Sequence, residues 1–413
     1  MVSLRWADGL RRGFHPLWLR DNCSSRRHAA TRQKVASPAD LPPTVRVADM
    51  QAADDVLHVG WEPTHASAFC AHWLRAHGFD LEPEAAEGLP AKRASTGLGT
   101  DVWRVPFDEL WPDQDDARWR WTNALAEHGL TVLENVPASV ASATGGGESV
   151  DGVRAVAEIL GPMQPNIYGE IFDVVSAGDK DAINIAYTSE AIGPHMDLCY
   201  YESPPGIQLL HCLRFDEDVV GGGSFLIDAF AVAEGLKHSA PEAFATLSTV
   251  PATFVKDHSK RAQPVLLSYQ RPHLSLDPHT QRVVGVFWSP PFEGPLAAGL
   301  PPHSVGDYYA AYRALHAAIE AAPRYEMRLQ PGELLVFNNR RMLHGRHAFE
   351  AQRGGTRHLR GGYVNIDEFA NRYNLLRRSS GGATADAALA SAPLGNQDWA
   401  TMTSTLPPSD PRP

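Results

Sequence analysis

The chain has 413 residues, with 37 lysines and arginines against 48 aspartates and glutamates, for a formal net charge of −11. This acidic balance argues against a nucleic-acid partner, because binding to phosphates needs clustered cationic side chains. The 43% of hydrophobic residues are enough for a large core and exclude disorder by composition. No stretch approaches the roughly 18 apolar residues that a membrane-spanning helix needs, and the first residues lack a signal-peptide core.

Four cysteines are too few for a disulfide framework in a chain of this length. They predict reduced thiols in a reducing compartment. Together with the absence of apolar targeting segments, they lead us to expect a cytoplasmic protein with no membrane partner.

The first part of the chain has short alternating runs, such as 45–47 and 56–61, broken by proline and polar residues. This pattern predicts a small β-rich domain over residues 1–95. Residues 83–100 have the composition of a linker, and the pattern changes after them.

Residues 96–378 are predicted to form a second domain. Helical spacing covers 119–126, a short strand begins at 130, and 153–160 is again helical. Five strand-like runs and one long helix at 308–322 follow; the five runs are 207–213, 224–230, 282–288, 333–339 and 357–366. Many strands with few helices favour a mainly β fold, a β-sandwich or jelly roll with added helices. Residues 379–413 are small, polar and proline-rich, which predicts a flexible tail.

His195 and Asp197 follow the strand-like run 183–188. In an extended segment residues i and i+2 share a face, so both side chains can reach one metal ion. With 18 histidines, about one His-x-Asp pair is expected by chance, so the pair alone is weak evidence and a surface hydrogen-bonded pair is the alternative reading. His344, placed just past a predicted strand, adds a second imidazole. Two imidazoles and one carboxylate are the facial triad of non-haem Fe(II) oxygenases, which leaves three coordination positions open.

Two further residues have the chemistry that a 2-oxoglutarate cosubstrate needs. Its distal carboxylate requires a fixed cation, and Arg357 follows His344 by 13 residues on the next predicted strand. Ser224 supplies a hydroxyl at the start of another strand. Taken singly, Arg357 could equally pair with a surface carboxylate, and Ser224 could simply end a turn.

The stretch from Asn184 to Ser224, with NNRRMLHGRHAF and RHLRGGYV, resembles the Fe(II)/2-oxoglutarate oxygenases of the γ-butyrobetaine hydroxylase and trimethyllysine dioxygenase group, relatives of taurine dioxygenase. WLRDNC, RHAATRQ and GWEPTHAS resemble that group's small amino-terminal domain. The resemblance implies a double-stranded β-helix, preceded by the β-rich domain. It also implies that iron is held by His195, Asp197 and His344, and that 2-oxoglutarate is bound by Arg357 and Asn184, with help from Ser224.

The substrates of that group carry a trimethylammonium cation, which cannot donate a hydrogen bond and is bound by aromatic faces. The residues that match the group's cage positions are Tyr168, Phe172, Tyr187 and Tyr363, and Tyr201 is a further candidate. Core packing of a β-sandwich is the alternative reading of these rings. Leu198 stands where members of the group can present another tyrosine, and residues 286–295 lack the expected asparagines, so the exact substrate stays open.

The amino-terminal domain departs from the group's pattern of Cys-x-Cys-x-x-Cys with a distant histidine, which forms a structural zinc site. Cys23 is followed by Ser24 and Ser25, Arg26 stands where the last thiolate belongs, and His65 is retained. Structural zinc sites use four ligands, and Cys23 and His65, even with His28 nearby, are one ligand short, so we expect a degenerate site without zinc. The domain is then expected to form a homodimer interface or to cover the active site.

The sequence therefore predicts a 2-oxoglutarate-dependent dioxygenase that uses iron and dioxygen to hydroxylate a C–H bond of a small, γ-butyrobetaine-like quaternary-ammonium substrate. Two alternatives remain. The first is an oxygenase of the same superfamily that acts on an amino acid, sulfonate, phosphonate or natural-product scaffold. The second is a catalytically silent jelly-roll binding protein, although such a protein has no physical need for an intact iron triad.

Overall fold

The computed structural model describes residues 1–28, 33–78, 102–112, 114–141, 149–175, 185–260, 263–296 and 300–379. These residues form two compact units, one up to residue 78 and one from residue 102 onward. Among them, no helix is both long and apolar enough to cross a membrane. The predicted boundary at residue 95 and the predicted tail beyond residue 379 lie outside the described residues.

The first unit combines a two-stranded sheet with a three-stranded antiparallel sheet. Its core contains Phe14, Trp61, Phe69 and Trp73, and the Trp73 ring stacks on Trp18 at a centroid distance of 5.3 Å. The elements are β1 (Val2–Arg5), β2 (Arg11–Phe14), α1 (Pro16–Asp21), β3 (Val47–Ala53), β4 (Val56–Trp61), β5 (His65–Cys70) and α2 (Ala71–His77).

The second unit mixes strands and helices and begins at β6. Its first elements are β6 (Arg104–Pro106), α3 (Asp115–His128), β7 (Leu130–Glu134), β8 (Ser139–Ala141), β9 (Ser149–Asp151), α4 (Gly152–Leu160), β10 (Ile171–Val175), β11 (Ile192–His195), β12 (Ile207–Phe215), β13 (Val219–Gly221), β14 (Ser224–Asp228), α5 (Ala229–Ser239) and α6 (Pro241–Thr249). The remaining elements are β15 (Pro251–Asp257), β16 (Leu266–Pro272), β17 (Leu274–Leu276), β18 (Val283–Val286), α7 (Pro302–Ala321), β19 (Tyr325–Met327), β20 (Leu334–Asn338), β21 (Met342–Arg346), β22 (Phe349–Ala351), β23 (Arg357–Val364) and α8 (Ile366–Ser379).

Two sheets organise this unit. One has six strands in the order β10-β23-β12-β20-β7-β6, and the other has four in the order β11-β21-β14-β19. Neighbouring strands in both sheets are antiparallel, except for the parallel pair β6 and β7. Several sequence-distant segments are thereby brought side by side.

Strand β12 shows how the six-stranded sheet divides its two faces. Successive side chains of a strand point to opposite faces. Ile207 and Leu209 pack in the same core as α4 and α8, whereas Leu210 and Cys212 pack with residues of the four-stranded sheet. Gln208 is two residues before Leu210, so its amide lies on the same face of the strand as Leu210 and Cys212, which is the face toward the four-stranded sheet.

Two predicted strands are corrected by the structure. The run 224–230 ends as a strand at Asp228, because the Asp228 carboxylate accepts hydrogen bonds from the backbone N–H of Phe230 and Ala231 and caps helix α5. The strand-like run 183–188 contains a 3-10 turn at Ile185–Tyr187 instead. His344 lies within strand β21, not just past a strand.

Candidate active site

The two histidines and the aspartate converge where strands β11 and β21 pair. His195 is the cross-strand partner of His344, and their ring centroids lie 4.2 Å apart. Asp197 follows the end of β11, and its Oδ1 and Oδ2 atoms lie 3.3 Å and 3.7 Å from Nε2 of His195 and His344, respectively. One ligand atom from each residue lies within 4.8 Å of the other two. In the part of the chain that the structure describes, no other group of three His, Cys, Asp or Glu side chains comes this close.

Neighbouring groups fix the orientation of these ligands. Nδ1 of His195 donates to the carbonyl oxygen of Gly193 at 3.0 Å, which leaves Nε2 to face the other two ligands. The Asn339 side chain accepts from the Asp197 backbone N–H at 3.0 Å and donates to the Asp197 carbonyl oxygen at 3.1 Å. The segment that carries Asp197 is therefore held by its main chain as well as by its carboxylate.

The two oxygens of the Asp197 carboxylate have different partners: Oδ1 lies near Nε2 of His195, and Oδ2 has two other hydrogen-bond donors. Oδ2 accepts hydrogen bonds from the Tyr363 hydroxyl at 2.7 Å and from Nε2 of Gln208 at 2.8 Å. Oδ1 is therefore the atom left for a metal ion. Burial disfavours its ionisation, but His344, His195 and the Tyr363 hydroxyl outweigh burial and hold the pKa of Asp197 well below its usual range.

The imidazoles are also suited to metal binding. Burial, with His195 nearby, lowers the pKa of His344 to about 3, so this ring is neutral and can coordinate at neutral pH. Burial opposes protonation of His195 too, but Asp197 raises its pKa, so a metal ion and a proton compete for this ring. Two imidazole nitrogens and one carboxylate oxygen are a donor set that would suit ferrous iron.

Arg357 forms a cationic end of the same pocket. It is 5% exposed, and its Nε donates to the carbonyl oxygen of Gly222 at 3.1 Å. Among the described residues, no carboxylate lies within salt-bridge distance of it. Burial lowers the pKa of Arg357 to about 10, so the guanidinium keeps its charge at neutral pH. A buried, unneutralised guanidinium is suited to bind the carboxylate of a ligand.

The glycines before Ser224 bring the backbone close to Arg357. Gly222 has φ +72°, a conformation that favours glycine, and a Cβ there would lie 3.3 Å from Cδ of Arg357. The turn therefore needs glycine both for its dihedral angle and for its contact with the arginine. Ser224 lines the pocket directly after this turn.

A second buried arginine lines the pocket beside this cationic end. Arg346 lies on β21, two residues after His344, and is 5% exposed. Its guanidinium donates to the carbonyl oxygens of Ala186, Thr188 and Glu190 at 3.0, 2.8 and 2.5 Å. Arg346 thus holds the loop that precedes β11 by its main chain.

The structure brings the four expected cage residues to one pocket, whose wall includes Tyr168, Phe172, Tyr187 and Tyr363. The Phe172 ring stacks on Tyr363 with centroids 5.4 Å apart, and it lies 6.1 Å from Tyr168. Tyr201 is not part of this wall; its hydroxyl accepts a hydrogen bond from the Ile167 N–H at 3.0 Å, and Tyr200 lines the pocket instead. Asn184 lies outside the described residues.

Comparison with known proteins identifies the chain. A family model for the taurine catabolism dioxygenase TauD, TfdA family matches residues 89–363, and one for a gamma-butyrobetaine hydroxylase-like N-terminal domain matches residues 1–75. A gamma-butyrobetaine dioxygenase from a Pseudomonas species is 35% identical over 91% of this chain and 94% of its own length. The chain belongs to the TauD, TfdA family.

Two further relatives of this TauD, TfdA family member cover similar lengths. Dioxygenase str8 of Strobilurus tenacellus is 30% identical over 87% of this chain and 84% of its own. The trimethyllysine dioxygenase of Meyerozyma guilliermondii is 28% identical over 91% of this chain and 93% of its own. These comparisons, with the His-Asp-His site, confirm the expected enzyme class: a dioxygenase that uses Fe(II) and 2-oxoglutarate.

Gln208, Arg346 and Phe292 are among the pocket residues that were not predicted from the sequence. Gln208 is the only amide in strand β12, whose buried residues are mostly apolar, and this is a signal that could have marked it as a partner of the site. Arg346 gave no such signal, because its partners are carbonyl oxygens of the main chain. Phe292 lines the pocket from a 3-10 turn at Pro290–Phe292, and a proline-rich segment does not indicate which of its side chains points inward.

The N-terminal unit keeps two of the expected zinc donors in contact. Sγ of Cys23 lies 3.5 Å from Nε2 of His65, and Oγ of Ser25 lies 3.2 Å from that sulfur atom. Arg26, in place of a thiolate, lies 3.7 Å from the Asp21 carboxylate. No third Cys, His, Asp or Glu ligand joins Cys23 and His65 among the described residues. The absence of zinc stays a prediction.

Proposed function

We propose that this dioxygenase hydroxylates a C–H bond of a small quaternary-ammonium substrate of the γ-butyrobetaine type. The observation that carries the proposal is the set of aromatic side chains that lines the pocket beside the His-Asp-His site, namely Tyr168, Phe172, Tyr187 and Tyr363. The names of the relatives, gamma-butyrobetaine dioxygenase and trimethyllysine dioxygenase, support the same substrate class.

An aromatic wall recognises this cation without hydrogen bonds. A quaternary ammonium has no N–H, so attraction to ring faces is the interaction that remains, and each desolvated ring contributes about 1–2 kcal/mol. Three or four rings can therefore select the cation over a neutral group of the same shape. Fixing the cation also fixes which carbon of the substrate faces the metal.

The remaining residues have separate tasks. His195, Asp197 and His344 would hold iron, which would supply the activation of dioxygen, coupled to the oxidative decarboxylation of 2-oxoglutarate to succinate and carbon dioxide. Arg357 binds the distal carboxylate of 2-oxoglutarate, and the Ser224 hydroxyl lies in the same part of the pocket. Gln208 and Tyr363 keep Oδ2 of Asp197 occupied, so the carboxylate presents a single oxygen to the metal.

The proposal includes the finer architecture. The two facing sheets of the second unit support a double-stranded β-helix over residues 96–378, preceded by the β-rich domain of residues 1–95. A homodimer and a cytoplasmic location stay predictions; four free, buried cysteines agree with a reducing compartment.

The decisive experiment compares cationic substrates with a neutral compound that has the same shape as one of them. The protein is supplied with Fe(II), 2-oxoglutarate and dioxygen, and succinate and hydroxylated product are measured with γ-butyrobetaine, trimethyllysine, and 5,5-dimethylhexanoate, in which a tert-butyl group replaces trimethylammonium. We expect product with at least one cation and at least about 10-fold lower kcat/KM with the neutral isostere. Equal turnover of γ-butyrobetaine and 5,5-dimethylhexanoate, or coupled turnover of neutral compounds only, would falsify the proposal.

A matched pair of variants tests the wall itself. Phe172→Leu removes one pocket ring, and we expect a KM for the cationic substrate about 5- to 30-fold higher. Phe244→Leu removes a buried ring of α6 that does not line the pocket and is the control for general packing loss. Equal effects of the two substitutions on KM would contradict the proposed role of the wall.

A second candidate substrate class is a larger, less polar scaffold. Leu198, Pro291 and Phe292 give one part of the pocket an apolar lining, and the relative named dioxygenase str8 shows that the sequence family extends beyond enzymes named for trimethylammonium compounds. Turnover of natural-product scaffolds, in place of the two cations, would favour this candidate.

A further inference from the structure

The loop of residues 186–190 is held to the metal-bearing strand by its backbone. Arg346 donates to the carbonyl oxygens of residues 186, 188 and 190, and the Phe349 N–H donates to that of Ser189 at 3.0 Å. Tyr187, which lines the pocket, lies between two of the clamped carbonyls. The position of this ring therefore depends on where the Arg346 guanidinium sits.

Arg346 and Arg357 place two positive charges in one pocket. Both side chains are buried, and no carboxylate of the described residues lies within salt-bridge distance of either. Nε of Arg346 is buried and has no hydrogen-bond partner among those residues. Ser224, the ladder partner of Arg346 in the four-stranded sheet, lines the same region. Two buried like charges repel each other, and an unpaired buried N–H is costly, so this region is suited to an anion.

We propose that Arg346 is a positioning residue that couples cosubstrate binding to the substrate wall. An anion bound at Arg357 offsets the repulsion between the two guanidinium groups and accepts from Nε of Arg346. The rest of the Arg346 guanidinium then holds the 186–190 loop, and with it Tyr187, in place. The nature of the substrate in this inference rests on the function proposed above, but the effect of the anion on the loop does not.

Thermodynamic linkage makes the coupling reciprocal. If 2-oxoglutarate fixes Tyr187, the substrate binds more tightly in its presence, and 2-oxoglutarate binds more tightly by the same factor when the substrate is present. The two ligands thus assemble the pocket together, although they occupy different ends of it.

Hydrogen exchange of the loop amides tests the effect of the anion without any turnover. The Fe(II) protein is measured under argon with and without 2-oxoglutarate, as wild type, Arg346→Lys and Arg340→Lys. Arg340 is the matched control: it is a buried arginine that donates to the Pro204 carbonyl oxygen at 3.1 Å and does not line the pocket. We expect 2-oxoglutarate to slow exchange at residues 186–190 about 10-fold in wild type and Arg340→Lys, and not in Arg346→Lys.

Equal slowing in Arg346→Lys, or no slowing in the wild type, overturns the inference. A lack of slowing in the wild type overturns the inference even if Arg346→Lys does not fold. A second measurement gives the binding of γ-butyrobetaine with and without 2-oxoglutarate: the wild type should show about 5- to 20-fold tighter binding with the cosubstrate, and Arg346→Lys should show no difference. If no quaternary ammonium compound binds at all, the proposed function fails, while the exchange result still tests the role of Arg346.

Discussion

The Tyr363 hydroxyl donates a 2.7 Å hydrogen bond to Oδ2 of Asp197. The ring of the same tyrosine stacks on Phe172 in the pocket wall. One side chain therefore belongs both to the surface that meets the substrate and to the hydrogen bonds that orient a metal ligand. The position of the metal ligand and the shape of the wall are linked through it.

Replacing Tyr363 with phenylalanine separates these two roles. Tyr363→Phe keeps the ring but leaves Oδ2 with one donor, Gln208, and groups that orient a ligand typically matter about 10- to 100-fold for metal affinity. We expect Fe(II) to bind about 10-fold more weakly, while the substrate KM at saturating iron changes less than twofold. Tyr312→Phe, which removes a hydroxyl outside the pocket, is the control. Unchanged iron affinity in Tyr363→Phe would contradict the role of the hydroxyl.

The second prediction concerns Gly222, in the turn before Ser224, and its effect on 2-oxoglutarate binding. In Gly222→Ala the new Cβ would lie 3.1 Å from Cβ of Phe349 and 3.3 Å from Cδ of Arg357, and the residue keeps a strained positive φ. We expect the KM for 2-oxoglutarate to rise about 10-fold with a smaller change in the substrate KM. Gly354→Ala, also at positive φ but with open space around it, serves as the control for backbone strain alone. The prediction fails if both variants have the same 2-oxoglutarate KM.

Several parts of the site were predictable because their geometry follows from local spacing. The i, i+2 relation of His195 and Asp197 needs no knowledge of the fold, and the strands that carry Arg357 and Ser224 have clear apolar patterns. Which strands lie side by side was not predictable: the pairing of His195 with His344 joins residues 149 positions apart. Tyr200 and Tyr201 show the limit of local reading. Adjacent residues alternate in direction, and only the backbone turn after Asp197, where Leu198 has φ +59°, decides which ring reaches the pocket.

Glu293 predicts a pH dependence of stability. Burial raises the pKa of Glu293 to about 7, against the effect of the hydrogen bond that Tyr312 donates at 3.1 Å. The folded state therefore binds a proton more tightly than the unfolded chain does. This contribution to stability is complete below about pH 4.5 and is lost as the pH rises to about 7.

The test compares the free energy of unfolding of the wild type and Glu293→Gln between pH 4.5 and 7.5. The amide keeps an acceptor for Tyr312 but does not titrate. We expect the difference in unfolding free energy between the two proteins to change by about 1–3 kcal/mol over this range, because the carboxyl is partly exposed. The variant should become relatively more stable as the pH rises. A difference that does not vary with pH would contradict the raised pKa.

The N-terminal unit is expected to fold without zinc. Cys23 and His65 are two donors where a structural site needs four, and residues 29–32, which the structure does not describe, are Ala, Ala, Thr and Arg, so they supply no further donor. We expect elemental analysis to find less than about 0.1 zinc per chain, and Cys23→Ser to leave both zinc content and the Tm response to chelators unchanged. One zinc per chain that is lost in Cys23→Ser would refute this.

Helices α5 and α6 were harder to predict from the sequence than the strands of the site. The apolar run 224–230 continues without interruption across the end of β14, and the signal that ends the strand is the capping carboxylate of Asp228. That carboxylate also forms a buried ion pair with Arg341 at 2.8 Å, a partner 113 residues away. The Asp228 carboxylate therefore has two roles, as a local helix cap and as the partner of a distant arginine. Only the first role can be predicted from the local sequence.

The arginine clamps around the active site have a consequence for how selectivity can evolve. Arg346 binds carbonyl oxygens of the loop before His195, and Arg340 and Arg271 bind those of residues 201, 202 and 204 after it. Every amino acid supplies the same carbonyl, so these anchors do not depend on which side chains the loops carry. Residues such as Tyr187 can therefore be substituted, in evolution or in a mutant library, so that the pocket accepts new compounds. The arginines continue to hold the backbone of both loops.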